Sequence, residues 1–328
     1  MHFLFKHKKK NNTKMSMQTN SGCLFYSDDD SKLNQVSQTK YEICIFQDIN
    51  KIKQIFMNTN QGKKYTIIKT IYEKCNKGTY IIKSNAKNIK YILKIRHASF
   101  SNTFEKDICT ILKNNMHKNI IKSKSFHECE DFYYFIYEYF DGMNLREYIK
   151  LKKRLTENEI KNICFQITSG INFLHSYNII HCDLKLDNLI INDNEELKII
   201  DFDLSLICNN EDGYVANGIF GTMQYIAPES YDLCIYSKKT DIWQFGIILY
   251  IRRTNHTPHK NKITLVNSFS NLCRQNIFKH IDLSIPKKII SEYGFNESLF
   301  ELLEKMLNFS DSGRYDISHI QNSEWFKT

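Results

Sequence analysis

The residues best suited to chemistry lie in His181-Cys182-Asp183-Leu184-Lys185-Leu186-Asp187-Asn188 and in the Ile199-Ile200-Asp201-Phe202-Asp203 that follows. A carboxylate (Asp183) stands five residues before an amide (Asn188), with a lysine (Lys185) between them. A second carboxylate (Asp201) closes a short apolar run. Such a set suits phosphoryl transfer, in which a protein mainly positions groups and neutralises charge. Asp183 can orient an incoming hydroxyl and accept its proton. Asn188 and Asp201 offer oxygens to magnesium, a hard cation that binds through carboxylates, waters and substrate phosphates.

Both stretches need elements to present them. Thr156-Glu157-Asn158-Glu159 has the capping-box pattern of a helix start. The helix it opens puts Ile160, Ile163, Cys164, Ile167, Ile171 and Leu174 on one buried stripe and delivers the chain to His181. Two short strands, Leu189 to Asn192 and Leu197 to Ile200, bracket a turn and end at Asp201. Upstream, Tyr65 to Glu73, Thr79 to Ser84 and Lys90 to Arg96 read as strands separated by Lys/Asn/Gly turns. A helix is expected from about Asn102 to Asn115, a strand over Phe132 to Tyr139, and helical stretches such as Ser298 to Leu307 near the end.

The catalytic stretch resembles the H-R-D-L-x-x-x-N loop and the D-F-G motif of protein kinases. Gly221-Thr222-Met223-Gln224-Tyr225-Ile226-Ala227-Pro228-Glu229 is similar to that family's G-T-x-x-Y-x-A-P-E. Asp241-Ile242-Trp243-Gln244-Phe245-Gly246 is similar to its D-x-W-x-x-G, and Arg314 falls where the family keeps a late arginine. These signatures stand in the right order over about 130 residues. On them the chain is identified as a divergent eukaryotic-type serine/threonine protein kinase, similar to orphan kinases of protozoan type. The implied fold is α+β and bilobal: a small β-rich N-lobe with one main helix at about 64–138, and a larger, mainly helical C-lobe at about 142–328.

The resemblance assigns further roles. Lys94 takes the place of the lysine that holds the α- and β-phosphates of ATP. An acid from the next helix should pair with it, and Glu105 competes with Asp107, which lies about 200° away around the helix. Glu105 has Ile108, Cys109 and Leu112 beside it and is favoured, although spacing to the following His117 turn suits Asp107 better. Tyr137 falls at the gatekeeper position, and the backbone from Glu138 to Phe140 at the adenine-binding hinge. Asn144 stands where many kinases carry an acid for the ribose, and Ile190 would floor the nucleotide pocket. Asp183 and Lys185 are the expected catalytic pair, bridged by Thr222, while Asn188 and Asp201 would hold Mg2+. Lys185 is the mark of the Ser/Thr type. Glu229 would form a buried pair with Arg314, and Asp241 would hold the backbone of the catalytic loop. Asp187 has two readings, an acid that tolerates basic residues near the acceptor or an acid that stabilises its own loop.

Three departures bear on function. Counting back from Lys94, the glycine-rich loop becomes Glu73, Cys75 and Gly78, with Tyr80 in place of a valine, so one glycine survives to let backbone approach phosphate. Ile92 replaces a small residue, and Tyr80 and Ile92 are both expected in the roof over adenine. Asp203 replaces the glycine of D-F-G, and Cys182 the arginine of H-R-D. That arginine commonly reads a phosphate on the activation segment, and the usual phosphosite, four before Thr222, is here Gly218. Reader and mark are lost together, which predicts activity without activation-segment phosphorylation. The alternative is a pseudokinase that binds partners without catalysis; a small-molecule kinase of similar fold is less well matched.

The chain has 328 residues and a net charge of +9. Its ten cysteines are nowhere closer than 18 residues apart, which excludes C-x-x-C zinc or redox patterns and suits reduced thiols. No signal-peptide core or 18-residue apolar run occurs. The expectation is a cytoplasmic or nuclear monomer acting on Ser/Thr protein substrates with ATP and Mg2+, without nucleic acid or membrane partners. Residues 1–63 read as a polar, basic, partly disordered extension in which one strand or helix could lie against the small lobe. The run Lys6, His7, Lys8, Lys9 and Lys10 admits a nuclear-localisation reading but is better taken as a solvated tail of an AT-rich coding sequence.

Overall fold

The computed structural model describes residues 49–74, 77–98, 104–153, 155–254 and 297–327. The basic run near the start, the apolar Tyr41–Phe46 piece and Cys75 lie outside the described residues.

The small lobe is an antiparallel sheet of β1 (Tyr65–Lys74), β2 (Lys77–Ser84), β3 (Lys90–His97), β4 (Ser123–Cys129) and β5 (Phe132–Glu138), in the order β1-β2-β3-β5-β4. Helix α1 (Ile49–Asn58) precedes it, and α2 (Glu105–Asn114) follows β3. Alternation along β3 decides what each face carries. Leu93 and Ile95 join Tyr80, Ile82, Tyr134 and Ile136 in an outer cluster, which α1 covers with Phe56. The Phe56 ring stacks on Tyr134 at 4.8 Å, so this helix belongs with the small lobe's core. Ile92, Lys94 and Arg96 point to the opposite face, where α2 packs.

The large lobe opens with the short helix α3 (Leu145–Lys152) and is built on α4 (Glu157–Ser176), whose capping box is formed: Glu159 N–H donates to Thr156 Oγ1 at 3.2 Å and Thr156 N–H to Glu159 Oε2 at 2.7 Å. The stripe from Ile160 to Leu174 is buried. Against it lies α5 (Lys238–Thr254), with Ile242, Trp243, Phe245, Ile247, Ile248, Leu249 and Tyr250 buried, the pattern of a helix enclosed nearly all round. Helices Glu297–Met306, Ile317–Gln321 and Glu324–Lys327 complete the described part. One apolar cluster runs from Ile108 and Leu112 of α2, through Phe135 and Tyr137, into α4 and α5, so the lobes share a core. Among the described residues, no helix is long and apolar enough to cross a membrane.

Candidate active site

The catalytic loop follows β6 (Ile179–Ile180) and is held by buried side chains of α5. Asp241 accepts from His181 N–H at 2.9 Å, Cys182 N–H at 3.0 Å and His175 Nε2 at 2.9 Å. Gln244 accepts from Leu184 N–H at 2.8 Å and donates to Cys182 O at 2.7 Å. These bonds satisfy buried backbone groups in a non-helical loop, where an orphan would cost about 1–3 kcal/mol. They also hold Cys182 in the left-handed region, at φ +66°.

On that support the acidic and basic groups converge. Asp183 Oδ1 accepts from the Thr222 hydroxyl at 2.7 Å and its N–H at 3.0 Å. Lys185 Nζ donates to Thr222 Oγ1 at 2.8 Å and lies 3.0 Å from Asp183 Oδ2. Asn188 directs Nδ2 to Asp183 O at 2.8 Å and Oδ2 at 3.1 Å. Ile200 N–H donates to Asn188 O at 3.0 Å, which sets Asp201 one residue beyond the loop's amide. The strands Leu189–Ile191 and Leu197–Ile199 pair antiparallel to make this register.

Lys94 is committed to two carboxylates. It bonds Asp201 Oδ1 and, at 2.7 Å, Asp203 Oδ1. Arg96 holds the other Asp203 oxygen, through Nε at 2.8 Å and Nη2 at 2.7 Å. Burial works against the Lys94 charge, but Asp201 and then Asp203 raise its pKa above the ordinary lysine value. Burial, followed by the Asp203 charge, raises the Asp201 carboxyl. Burial also works to raise Asp203, yet Arg96 and Lys94 carry it well below the usual carboxylate range.

Glu105 is the inward acid of α2, 1% exposed, whereas Asp107 is exposed. The expected pairing with Lys94 is not made, because Asp201 and Asp203 occupy the lysine. Glu105 Oε1 is buried without a hydrogen-bond partner. Burial and then the Asp203 charge push its carboxyl up to about 8, with Lys94 and Arg96 offsetting part of the rise.

The residues expected to face a nucleotide divide. Ile92 is half-buried on the cleft face, paired with Tyr137 on β5 and Ile81 on β2. Ile190 is half-buried between the buried Leu189 and Ile191. Tyr80 is not brought to the cleft. β2 pairs Thr79 with Lys94 and Ile81 with Ile92, so Tyr80 pairs with Leu93 and turns to the outer face beneath α1. The count back from Lys94 runs through the β2–β3 hairpin, which closes beyond Lys83 opposite Lys90, and one residue of difference there flips a strand residue to the other face. Gly78 lies on that outer face too: a Cβ there would stand 2.1 Å from the Tyr80 hydroxyl, so glycine is needed beneath the ring. Its carbonyl accepts from Arg96 Nη1 at 3.1 Å.

At the hinge, Glu138 N–H donates to Lys122 O at 2.9 Å, and its side chain is 2.9 Å from both Lys122 N and Lys198 Nζ. Phe140 is half-buried under the Lys198 ammonium, 5.5 Å from the ring centre. Tyr137 is 3% exposed and stacks with Phe135. Asn144 caps a helix instead of waiting on a ribose, accepting from Glu147 N–H at 2.9 Å. Asp187 makes a two-pronged pair with Arg146, at 2.8 and 2.7 Å, which removes the support for an acidic surface at the acceptor.

The activation segment is held by apolar and aromatic contacts. Cys182 packs with Ile180, Leu206 and Tyr236. The Tyr236 hydroxyl accepts from Phe220 N–H at 2.7 Å and donates to Phe220 O at 2.9 Å, with the rings stacked at 3.9 Å. Tyr214–Val215 pairs with Ile235–Tyr236 as a short ribbon. Glu229 and Arg314 meet through two bonds of 2.7 and 2.6 Å in the buried base of the lobe.

Sequence reasoning missed Arg96. The available signal was its place two residues after Lys94, hence on the same face of β3. Asn188 and Asp201 suit magnesium: Asn188 spends its Nδ2 on Asp183 and keeps Oδ1 as an oxygen donor, and Asp201 adds a carboxylate. No group of three or more His, Cys, Asp or Glu able to hold a metal unaided occurs among the described residues.

A five-stranded small lobe and a helical large lobe, with Lys94, Asp183, Asn188 and Asp201 gathered between them, define the bilobal protein-kinase fold. Comparison with known families agrees: the model of the protein kinase domain matches residues 70–326. The chain belongs to the protein kinase family. It is 36% identical over 166 residues to serine/threonine-protein kinase plk-2 of Caenorhabditis elegans, covering 51% of this chain and 26% of that protein. It is 33% identical over 213 residues to serine/threonine-protein kinase PLK1 of Xenopus laevis, covering 64% and 33%. To CBL-interacting protein kinase 10 of Oryza sativa subsp. japonica it is 31% identical over 197 residues, covering 59% and 40%. The matched part is thus 26% to 40% of the length of these relatives.

Proposed function

We propose that this kinase transfers the γ-phosphate of ATP to serine or threonine hydroxyls of proteins, with magnesium, and needs no phosphate on its activation segment. The observation that carries this reading is the closed set of Asp183, Thr222, Lys185 and Asn188, joined by direct side-chain hydrogen bonds. Asp183 orients the acceptor hydroxyl and takes its proton, and Lys185 stabilises charge on the transferring group. Lys94 steadies the remaining phosphates. Asn188 and Asp201 would hold magnesium, whose charge offsets that of the phosphate oxygens when bound. The relatives named as serine/threonine-protein kinases support the acceptor class. Independence from phosphorylation is supported by the apolar packing of Cys182, which stands in place of the phosphate-reading arginine, and by the Tyr236–Phe220 clamp on the segment.

A monomer working on protein substrates in the cytoplasm or nucleus remains our reading of its setting. One observation favours binding without transfer: Lys94 is taken by both Asp201 and Asp203, so a nucleotide must draw it away. Phosphate transfer from labelled ATP and magnesium to a generic protein substrate decides between them, with wild type run beside Asp183→Asn. Transfer lost in the variant supports the kinase. Absence of transfer by both, with no thermal stabilisation by ATP and magnesium, overturns it.

A further inference from the structure

We propose that Arg96 and Asp203 form a latch that fixes the start of the activation segment to the small lobe, making Arg96 a positioning residue for Asp201. Arg96 is 8% exposed and joins three elements. Nη1 donates to Gly78 O of β2 at 3.1 Å and to Ile95 O of β3 at 2.9 Å. Nε and Nη2 hold Asp203 Oδ2 at 2.8 and 2.7 Å. A planar guanidinium with several fixed donors can do this; an ammonium cannot. Its two carbonyl anchors leave the donors facing Asp203 pre-aimed.

Asp203 needs no glycine's freedom, since it is not among the described residues with positive φ; the left-handed residue is Asp201, at φ +72°. Between the two acids Phe202 is 1% exposed, its ring 5.3 Å from that of His181. The segment is therefore tied at three successive residues. Asp203 carries two cations, Lys94 on Oδ1 and Arg96 on Oδ2, and this redundancy has a use. When phosphate oxygens draw Lys94 away, Arg96 still holds Asp203, and Asp201 stays turned into the cleft. The latch replaces the Lys94–Glu105 pair, whose absence leaves Glu105 a buried acid beside this cluster.

This proposal rests on reading the cleft as a phosphotransfer site, so its test uses two readouts. Hydrogen exchange over residues 202–207 and phosphate-transfer kinetics are measured on the full chain as wild type, Arg96→Met, Asp203→Gly and the double variant. Each single change is expected to speed exchange in that stretch about tenfold or more, with helix Glu157–Ser176 unchanged as the folding control. It should lower kcat while the KM for ATP moves less than about threefold, a split that general loss of structure would not produce. The double variant leaves neither charge buried alone and should be no worse than the worse single, a coupling of the two sites. If Arg96→Met does not fold, the isosteric Asp203→Asn tests the same bond. Exchange within about threefold of wild type in Arg96→Met or Asp203→Asn overturns the latch, as do losses that multiply in the double variant. Should wild type transfer no phosphate, exchange alone decides: faster exchange in the variants supports the latch, unchanged exchange overturns it.

Discussion

Lys94 and Glu105 meet the same buried cluster without bonding each other. The lysine's Nζ is held by Asp201 and Asp203, while Glu105 Oε1 has no hydrogen-bond partner at 1% exposure. A carboxylate left so would be costly, and the proton it retains is the cheaper solution.

A pH dependence follows. The Glu105 carboxyl rises from 4.5 to about 8 on folding, so the native state binds a proton that the unfolded chain has released between those values. Stability on this account falls as pH rises through that window and levels off above it. Glu105→Gln keeps the shape without the ionisable proton. It should match wild type near pH 5 and be more stable near pH 8.5, by on the order of a few kcal/mol. Urea midpoints at the two pH values check this; a variant less stable at both would show Glu105 working as a charge.

Thr222→Val keeps volume and deletes the hydroxyl that both donates to Asp183 and accepts from Lys185. Losing these should lower kcat about 10- to 100-fold, the equivalent of one or two hydrogen bonds, with the melting temperature little changed. Steady-state kinetics beside a thermal melt separate the two effects. Full activity would remove Thr222 from the site.

Tyr236→Phe leaves Phe220 N–H and C=O without their shared partner at a position 1% exposed. The cost expected is about 1–3 kcal/mol, spent on loosening the activation segment. Limited proteolysis should then cut near residues 217–221 faster than in wild type. Equal resistance would mean that the stacked rings suffice alone.

Arg314→Met removes a cation that holds Glu229 with two bonds and also donates to Asn308 O, Phe309 O and Lys239 O. The Arg314 side chain is 0% exposed and that of Glu229 8%, so the carboxylate would stay buried without a cation, its remaining partner the Thr240 hydroxyl at 3.4 Å. A loss of about 3–5 kcal/mol is expected, enough to unfold much of the chain at 37 °C. Denaturant titration measures it. The double change Arg314→Met with Glu229→Leu should recover most of the loss, because well-packed apolar groups can replace a buried pair.

The parts legible in the sequence are those whose partners lie close along the chain. The spacing from Asp183 to Asn188 made one loop, the capping box at Thr156 opened the predicted helix, and the apolar face of α2 favoured Glu105 over Asp107 as the inward acid. The distance from Tyr80 to Lys94 does not fix the face of Tyr80, because it runs through the β2–β3 turn, whose length is not written in any residue type. One residue of slip reverses a strand side chain. Asp187 offered two readings that only the position of Arg146 could separate.

By itself the sequence determined the family, the α+β plan and the set of chemical groups in the cleft, since these depend on residue types at short, regular spacing. Tertiary structure decided which charges satisfy one another. Arg96 and Asp203 are 107 residues apart, and three carboxylates compete for two cations in one buried volume. The winners are set by distances of a few ångströms and by burial, and neither exists until the two lobes close on a common core.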